Sequence, residues 1–218
     1  MTSLLDRLAA LDVCSLSDAM DALGVEGVVD GLNPLWEGAK VAGYAVTMKL
    51  AEGPAPATDT PVHLGARAVG QAGPGRVIVV DNGGRDTMGS WGGLLSQAAA
   101  AQGVAGVVTD GACRDVDEAR GLRFPVFARR GAVRTARARV HEVSTGEPVA
   151  LAGVTVNPGD VVAADGSGVV VIPAADAERV IEKAEALLAR EQTMLAALQA
   201  GVPAVEVLDG TYENALKA

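Results

Sequence analysis

The residues best suited to chemistry in this sequence are an adjacent arginine and aspartate, Arg114 and Asp115, and a glycine pair, Gly92 and Gly93. A guanidinium offers a planar set of donors to a carboxylate or a carbonyl oxygen. A carboxylate is a hard oxygen ligand for a divalent cation. A glycine pair that opens a helix leaves backbone N–H groups free over residues 92–95, and these favour an anion. The set suits a small anionic substrate beside a divalent cation.

A purely structural role is open for each of these residues. An arginine beside an aspartate is commonly a surface ion pair, and Asp115 could simply cap the helix that it begins. Two more carboxylates, Asp117 and Glu118, follow at the start of that helix. An acidic cluster opposite a helix that begins with glycine favours a substrate-binding site. The residues alone nevertheless leave both the functional and the structural interpretation open.

The elements around these residues must bring them together. The pattern predicts a helix over Trp91–Gln102, a strand over Ala105–Thr109, a loop over Asp110–Cys113 and a short helix over Asp115–Arg120. A helix followed by a strand that runs back returns the chain close to its start. We therefore expect the two ends of this stretch to meet.

Alternating strands and helices predict a parallel layer with helices on its faces. Further strands are indicated over Val41–Leu50, Arg76–Asp81 and Pro125–Ala128, and the second of these is typical of a strand buried on both faces. Ligands in such layers bind at the carboxyl ends of the strands. Asn82–Gly84 and Asp110–Asp115 both fall at that edge.

The remainder of the chain predicts one α/β domain, residues 1–218, with a β-rich core. Helices are expected within about residues 1–38, and a long C-terminal helix within about 174–200. Val62–Gln71 is a further predicted helix, capped by Asp59 or Thr60, and it carries His63 as a surface or packing residue rather than a ligand. After Ala128 the chain breaks into short strands separated by turn residues, which indicates a β-rich half.

Charge and composition exclude several classes of protein. The formal net charge of −9 argues against general nucleic-acid binding. Eight arginines nevertheless fall within residues 114–139, as a solvated surface or as a positive mouth for an anionic substrate. They are Arg114, Arg120, Arg123, Arg129, Arg130, Arg134, Arg137 and Arg139.

Two cysteines make no disulfide framework, and Cys113 is expected to be a small packing residue rather than a nucleophile. The N-terminal residues lack the pattern of a signal peptide. No apolar run approaches the roughly 20 residues that span a bilayer. We expect a cytoplasmic protein that does not bind membranes.

One long segment carries a family resemblance. GGLLSQAAAAQGVAGVVTDGACRDVDE resembles the family that includes 4-hydroxy-4-methyl-2-oxoglutarate aldolases and regulator of ribonuclease E activity A proteins (the RraA-like family). Its pattern is Gly, twenty residues, Arg-Asp, two residues, and Glu or Asp, here Gly93, Arg114, Asp115 and Glu118. The segments RVIVVDNGG, GLRFPVFARR and VNPGDVVAADGSGVVVIP extend the resemblance in the same order.

The resemblance implies a layered α/β/β/α fold and a role for each site residue. The backbone amides of Leu94 and Leu95 would hold the carboxylate of a 2-oxo acid. Arg114 would bind the substrate and stabilise an enolate, and Asp115 would bind Mg²⁺ or Mn²⁺ through a water-rich shell. Retro-aldol cleavage of 4-hydroxy-4-methyl-2-oxoglutarate and decarboxylation of oxaloacetate share a pyruvate enolate, so the implied activity is a metal-dependent lyase.

Further features follow from the resemblance. Aldolases of the family often carry Asp or Glu at the Gly93 position, so Gly93 puts efficient aldol cleavage in doubt and leaves decarboxylation open. A homotrimer or hexamer is implied, with an acid of a neighbouring subunit near the metal-bound waters. Glu191 is the best match for that acid, with Glu185 and Glu182 as alternatives, and Asp117 and Glu118 are candidates for the same surroundings. The alternative function is a regulator that binds and inhibits an endoribonuclease without catalysis.

Overall fold

A computed structural model describes residues 3–57 and 62–208, and a mixed β-sheet lies at its centre. The strands are β1 (Val28–Val29), β2 (Asn33–Pro34), β3 (Val41–Glu52), β4 (Arg76–Asp81), β5 (Gly89–Trp91), β6 (Gly106–Thr109), β7 (Ala112–Cys113), β8 (Val126–Ala128), β9 (Arg130–Gly131), β10 (Val140–Thr145), β11 (Val149–Leu151), β12 (Val154–Val156), β13 (Val161–Asp165) and β14 (Gly168–Ile172). The helices are α1 (Leu4–Ala9), α2 (Val13–Leu23), α3 (Ala66–Gln71), α4 (Gly93–Ala101), α5 (Val116–Gly121), α6 (Ala177–Gln199) and α7 (Ala204–Val207).

The main sheet combines a parallel centre with antiparallel flanks. Within the described ranges its order is β1-β14-β13-β3-β4-β6-β8-β2, and β10 also pairs with β3. The pairs β3–β4, β4–β6 and β6–β8 are parallel, whereas β13 and β10 run antiparallel to β3. The predicted parallel layer and the β-rich half are therefore confirmed. Of the β-rich half, β10, β13 and β14 belong to the same sheet as the parallel layer, whereas β11 and β12 form a separate two-stranded sheet.

The central strands are buried on both faces. Along β4, Ile78 and Val80 pack in one apolar cluster with Leu95 and Ala99 of α4. The alternate residues Val77 and Val79 pack in another cluster, with β11 and with the antiparallel strands β13 and β14. Because side chains alternate along a strand, the all-apolar segment of β4 covers both faces with Val and Ile.

The outer layers complete the predicted α/β/β/α arrangement. Helices α3, α4 and α5 contribute to the cluster on the outer face of the parallel strands. Leu16 of α2 and Ile181 of α6 pack with Val161 and Ile172, on the opposite face of the antiparallel strands from β4. Because residues of β4 pack against residues of β13 and β14, the parallel and antiparallel parts of the sheet form two layers. The order of layers is therefore helices, parallel strands, antiparallel strands and helices.

The predicted helix over Val62–Gln71 is shorter in the structure. It begins at Ala66, because Gly65 adopts a left-handed conformation (φ 80°) at the N-cap position. His63 precedes the helix instead of lying on it. The proposed caps at positions 59 and 60 lie outside the described residues.

The long C-terminal helix is confirmed, but its apolar stripe is only partly covered. Its buried residues end at Leu187, although α6 continues to Gln199. Leu195 is 54% exposed and Leu198 is 36% exposed. The apolar pattern of α6 therefore extends beyond what the described residues bury. Among the described helices, none has both the length and the apolar character needed to cross a bilayer.

Candidate active site

A small parallel sheet at the carboxyl edge of the main sheet positions the site. Strands β5, β7 and β9 follow β4, β6 and β8 in the chain and pair in the order β5-β7-β9. Trp91 is the register partner of Cys113, so the residues that come next, Gly92 and Arg114, are neighbours in space. The prediction that the helix starts at Trp91 and that residues 110–113 form only a loop is wrong, because strands of two or three residues are too short to show a period.

Arg114 is held against β5 by its backbone and by its stem. Its N–H donates to the carbonyl oxygen of Trp91 at 2.9 Å. Its Cγ lies where a Cβ on Gly89 would be, so only glycine at position 89 lets the stem cross the strand. The side chain is 37% exposed, and its Nη2 lies 3.9 Å from Oδ1 of Asp115. The guanidinium is therefore anchored through its stem and remains accessible.

Asp115 contacts the helix opposite to it rather than the helix that follows it. It stands at the N-cap position of α5 with φ 56° and makes no side-chain bond to that helix. Its Oδ2 accepts a hydrogen bond from the N–H of Gly93 at 2.9 Å. The interpretation of Asp115 as a cap for its own helix is wrong, because the left-handed backbone turns the carboxylate towards the start of α4.

The start of α4 leaves two backbone donors available. Gly92 gives no side-chain cap, the Gly93 N–H is taken by Asp115, and the Ser96 N–H donates to the Gly92 carbonyl at 3.0 Å. The N–H groups of Leu94 and Leu95 have no hydrogen-bond partner within residues 3–57 and 62–208. Free N–H groups at a helix start form a site for an anion.

Glu118 approaches the first residue of α4. A Cβ on Gly93 would overlap Oε2 of Glu118 and lie 3.1 Å from the Cβ of Asp115. The carboxylate of Glu118 thus occupies the space of a side chain at position 93. Asp117 instead pairs with Arg120 at 3.1 Å and is 90% exposed, away from α4.

Glu191 lies on α6, where its charge acts on Asp18 of α2 and contributes to raising the pKa of Asp18, after burial as the first cause. It does not line the cavity described below. Its predicted contact belongs to a neighbouring subunit and stays a prediction.

A cavity of about 530 Å³ opens between the start of α4 and the loop before β10. Gly92, Gly93, Leu94, Leu95, Arg114 and Asp115 line one wall, and His63, Thr135, Arg137 and Val140 are among the residues of the others. Sequence reasoning missed the second group. The one signal in the sequence for this second group is the cluster of arginines within residues 114–139, one interpretation of which is a positively charged entrance for an anionic substrate.

Cys113 is a packing residue. It is fully buried in the cluster under α4, and its Sγ contacts the carbonyl oxygen of Arg114 at 3.2 Å. Burial raises the pKa of the Cys113 thiol to about 12, and the nearby Asp115 carboxylate adds to the effect. The thiol therefore stays protonated at neutral pH, which is unfavourable for a nucleophile.

The other polar residues predicted at the sheet edge form a separate structural network. The carboxylate of Asp110 accepts the N–H groups of Asn82 at 2.6 Å and Gly84 at 2.9 Å. Burial raises the pKa of Asp110, and these two hydrogen bonds oppose that rise. Asn82–Gly84 do not line the cavity, so this network holds the turn after β4.

The donor set suits a metal that keeps most of its water. Within the described part of the chain, no three His, Cys, Asp or Glu side chains gather as a metal-binding group. Asp115 lines the cavity, and its Oδ1 accepts no hydrogen bond from the described residues. One carboxylate beside open space fits Mg²⁺ or Mn²⁺, which are bound through few protein ligands, and does not fit a tetrahedral zinc site.

Fold and site together define a layered α/β/β/α protein with a helix start that has free backbone amides beside an Arg–Asp pair. The RraA-like family model, described as Aldolase/RraA, matches residues 13–171. The chain therefore belongs to the RraA-like family.

Known relatives agree with that assignment. Protein DlpA of Legionella pneumophila is 34% identical over 201 residues, which are 92% of this chain but only 32% of DlpA. A Halalkalibacterium halodurans protein, provisionally named 4-hydroxy-4-methyl-2-oxoglutarate aldolase, is 34% identical over 87% of this chain and 86% of its own length. This chain thus spans about a third of the first relative and most of the second.

Solved structures share the fold. A protein from Pseudomonas syringae pv. tomato has a TM-score of 0.86 at 31% identity, over 96% of this chain and 98% of its own. A Streptomyces coelicolor member of the RNase ES inhibitor RraA family has a TM-score of 0.78 at 27% identity, over 87% of this chain and 94% of its own.

Proposed function

We propose that this chain is a divalent-metal-dependent lyase that breaks a carbon–carbon bond of small 2-oxo acids through a pyruvate enolate. The observation that carries the proposal is the meeting of two free α4 amides with Arg114 and Asp115 on one cavity wall. The provisional aldolase name of a relative with 34% identity supports the same reaction class.

Each group has a role that follows from its chemistry. The N–H groups of Leu94 and Leu95 donate to the substrate carboxylate at the helix start. Arg114 donates to the 2-oxo oxygen and stabilises the negative charge that gathers there in the enolate. Asp115 would hold the metal, which when bound supplies Lewis-acid polarisation of the 2-oxo group.

Aldol cleavage and decarboxylation require different catalytic groups from the residues of this cavity wall. Both need the enolate to be stabilised, but only aldol cleavage needs a base to take the proton of the 4-hydroxyl group. The family pattern has Gly at position 93, but aldolases that the sequence resembles often carry an acid there instead. Here Gly93 has no side chain, and the Glu118 carboxylate lies in the space that such a side chain would fill. We propose that decarboxylation of oxaloacetate is the stronger activity.

Introducing the missing acid gives a test of this preference. We expect Gly93→Asp combined with Glu118→Ala to raise the ratio of aldol cleavage to decarboxylation, because the double change supplies a carboxylate and clears its space. Gly93→Asp alone should raise the ratio less. It should cost about 1 kcal/mol of stability, at the low end for overpacking, because the Glu118 side chain is exposed and can move into solvent. Steady-state rates with both substrates measure the ratio, and thermal melting measures the stability. An unchanged ratio in the double variant would show that the base is not limiting.

The direct test of the function is release of pyruvate from oxaloacetate and from 4-hydroxy-4-methyl-2-oxoglutarate. We expect turnover with Mg²⁺ or Mn²⁺, loss of turnover after EDTA, and recovery when metal is restored in excess. The spontaneous decay of oxaloacetate with the same metal and no protein is the baseline. A rate equal to that baseline for both substrates would refute the lyase proposal.

A regulatory function is the second candidate, and structural neighbours favour it. Besides the Streptomyces coelicolor protein, an RNA-processing inhibitor RraA from Thermus thermophilis has a TM-score of 0.60 at 27% identity, over 72% of this chain and 92% of its own. The net charge of −9 would suit contact with a basic region of an endoribonuclease. Inhibition of such an enzyme by wild type and by Arg114→Ala alike would support binding without catalysis.

We also propose a homotrimer or hexamer. The uncovered apolar residues at the end of α6, Leu195 and Leu198, support contact with a neighbouring subunit, and Glu191 lies on the same part of the helix. Sedimentation as a monomer at micromolar concentration would contradict this assembly.

A further inference from the structure

The cavity carries a second cation that the proposed roles leave unused. Arg137 lines it from the loop before β10, whereas Arg114 lines it from the end of β7. Asp115 contributes the one carboxylate among the described lining residues. With two arginines against one aspartate, the described lining is positive in a chain whose net charge is −9. Such a lining favours a ligand with more than one negative charge.

Among the residues that the structure describes, Arg137 has no carboxylate partner. Its side chain makes no ion pair with any residue in the described ranges. Two exposed arginines of the same segment differ in this respect, because Arg130 pairs with Asp86 at 3.0 Å and Arg120 pairs with Asp117 at 3.1 Å. The guanidinium of Arg137 is therefore available to an anion in the cavity.

The backbone around Arg137 is held in a defined conformation. Its N–H donates to Oγ1 of Thr135 at 3.2 Å, and its carbonyl oxygen accepts from Nη1 of Arg139 at 3.2 Å. The next residue, Ala138, has φ 59°, which costs a residue with a Cβ on the order of 1–2 kcal/mol. These contacts fix the direction in which the chain presents residue 137, and such preorganisation favours binding.

We propose that Arg137 binds the second carboxylate of a 2-oxo dicarboxylate and so selects dicarboxylates over monocarboxylates. The first carboxylate lies at the N–H groups of Leu94 and Leu95, and this part of the assignment rests on the proposed function. In this assignment Arg137 is a specificity-determining residue in the loop before β10. Its role requires only that the ligand carry a second anionic group.

The position of this cation has a consequence for the two reactions. In decarboxylation the bond from C3 to the leaving carboxylate breaks, its electron pair passes into the enolate, and neutral CO₂ leaves. A cation on that carboxylate stabilises the charged ground state more than the transition state and slows the step. In aldol cleavage the distal carboxylate keeps its charge, so Arg137 binds ground state and transition state alike. Arg137 therefore selects dicarboxylates at the binding step, and in the chemical step it partly opposes the preference for decarboxylation that follows from the lack of an acid at position 93.

Binding of unreactive ligands tests the assignment without turnover. Calorimetric titration with pyruvate and with 2-oxoglutarate, in buffer with Mg²⁺, compares one carboxylate with two. For Arg137→Gln we expect the affinity for 2-oxoglutarate to fall about tenfold, as for loss of a charge-assisted hydrogen bond at an open site. The affinity for pyruvate should change less than twofold. Arg137→Lys keeps the charge and should recover part of the affinity for 2-oxoglutarate.

Arg134→Gln is the matched control, since Arg134 is exposed in the same loop and does not line the cavity. It should leave both affinities unchanged. Equal weakening of both ligands by Arg137→Gln, no preference of the wild type for 2-oxoglutarate, or the same effect from Arg134→Gln would overturn the assignment. The wild type could prefer 2-oxoglutarate over pyruvate through Arg137 and yet show no lyase turnover. That result would uphold this assignment and refute the proposed function.

Discussion

Replacing Arg114 with alanine is expected to lower kcat/KM for oxaloacetate by about 10²–10³-fold, the loss typical when one donor to a developing oxyanion is removed. Arg114 lines the cavity together with Leu94 and Leu95, whose amides are free, and in the proposed function the 2-oxo group of a bound substrate lies there. The fold should survive. The ion pair to Asp115 spans 3.9 Å at a partly exposed position, and such pairs contribute little to stability. The backbone bond from Arg114 to Trp91 does not need the side chain.

Two comparisons make this result specific. Arg120→Ala also removes a guanidinium from this segment, but Arg120 is exposed and paired with Asp117. The Arg120→Ala variant should therefore be as active as the wild type. Arg114→Lys keeps the charge and loses the planar pair of donors, so it should recover only part of the lost rate. Thermal melting checks the fold of all three variants. Activity of Arg114→Ala within a fewfold of the wild type would exclude Arg114 from enolate stabilisation.

Local patterns in the sequence were enough to predict the layers. The run Arg76–Asp81 has the length and the unbroken apolar character of a strand buried on both faces, and β4 is such a strand. The alternation of strands and helices predicted the parallel pairs β4–β6 and β6–β8. These features depend on residues close together in the chain, where the period of the side chains carries the information.

Contacts across the site could not be predicted in the same way. The hydrogen bond from Gly93 to Asp115 and the approach of Glu118 to Gly93 join residues more than twenty positions apart. They depend on the pairing of β5 with β7, two strands too short to be visible as a pattern. The resemblance placed Arg114 and Asp115 near Leu94 and Leu95, but it did not indicate that Asp115 would bond to α4 instead of capping α5.

The placement of Arg137 shows a further limit. Eight arginines within residues 114–139 suggested a positive region without separating its members. In the structure Arg114 and Arg137 line the cavity, whereas Arg120 and Arg130 form surface pairs. The separation comes from the fold of the loop before β10, which includes the left-handed Ala138 and places residues 135–138 at the cavity. A composition bias can therefore indicate a charged mouth, but only the tertiary structure assigns its members.

Asp115→Asn should abolish the response of turnover to metal while leaving the fold intact. Asparagine keeps a side-chain oxygen that can accept the Gly93 N–H, and it tolerates the left-handed backbone of residue 115 better than most residues. The change therefore removes mainly the negative charge, which a hard cation needs from its ligand. We expect the metal-dependent rate to fall by at least about 100-fold, since loss of even a supporting contact at a metal site commonly costs 10–100-fold.

Titration of the decarboxylation rate with Mg²⁺ measures this effect. Asp117→Asn is the matched control, because it removes the same charge only two positions further along the chain. The Asp117 side chain is 90% exposed and paired with Arg120. Its half-saturating Mg²⁺ concentration should equal that of the wild type. If the Asp115→Asn enzyme showed that same Mg²⁺ dependence, Asp115 would not be a metal ligand. Its role would then be limited to the hydrogen bond with the start of α4. Asp115→Ala would be a poorer test, because alanine loses the bond to Gly93 and strains the left-handed backbone at the same time.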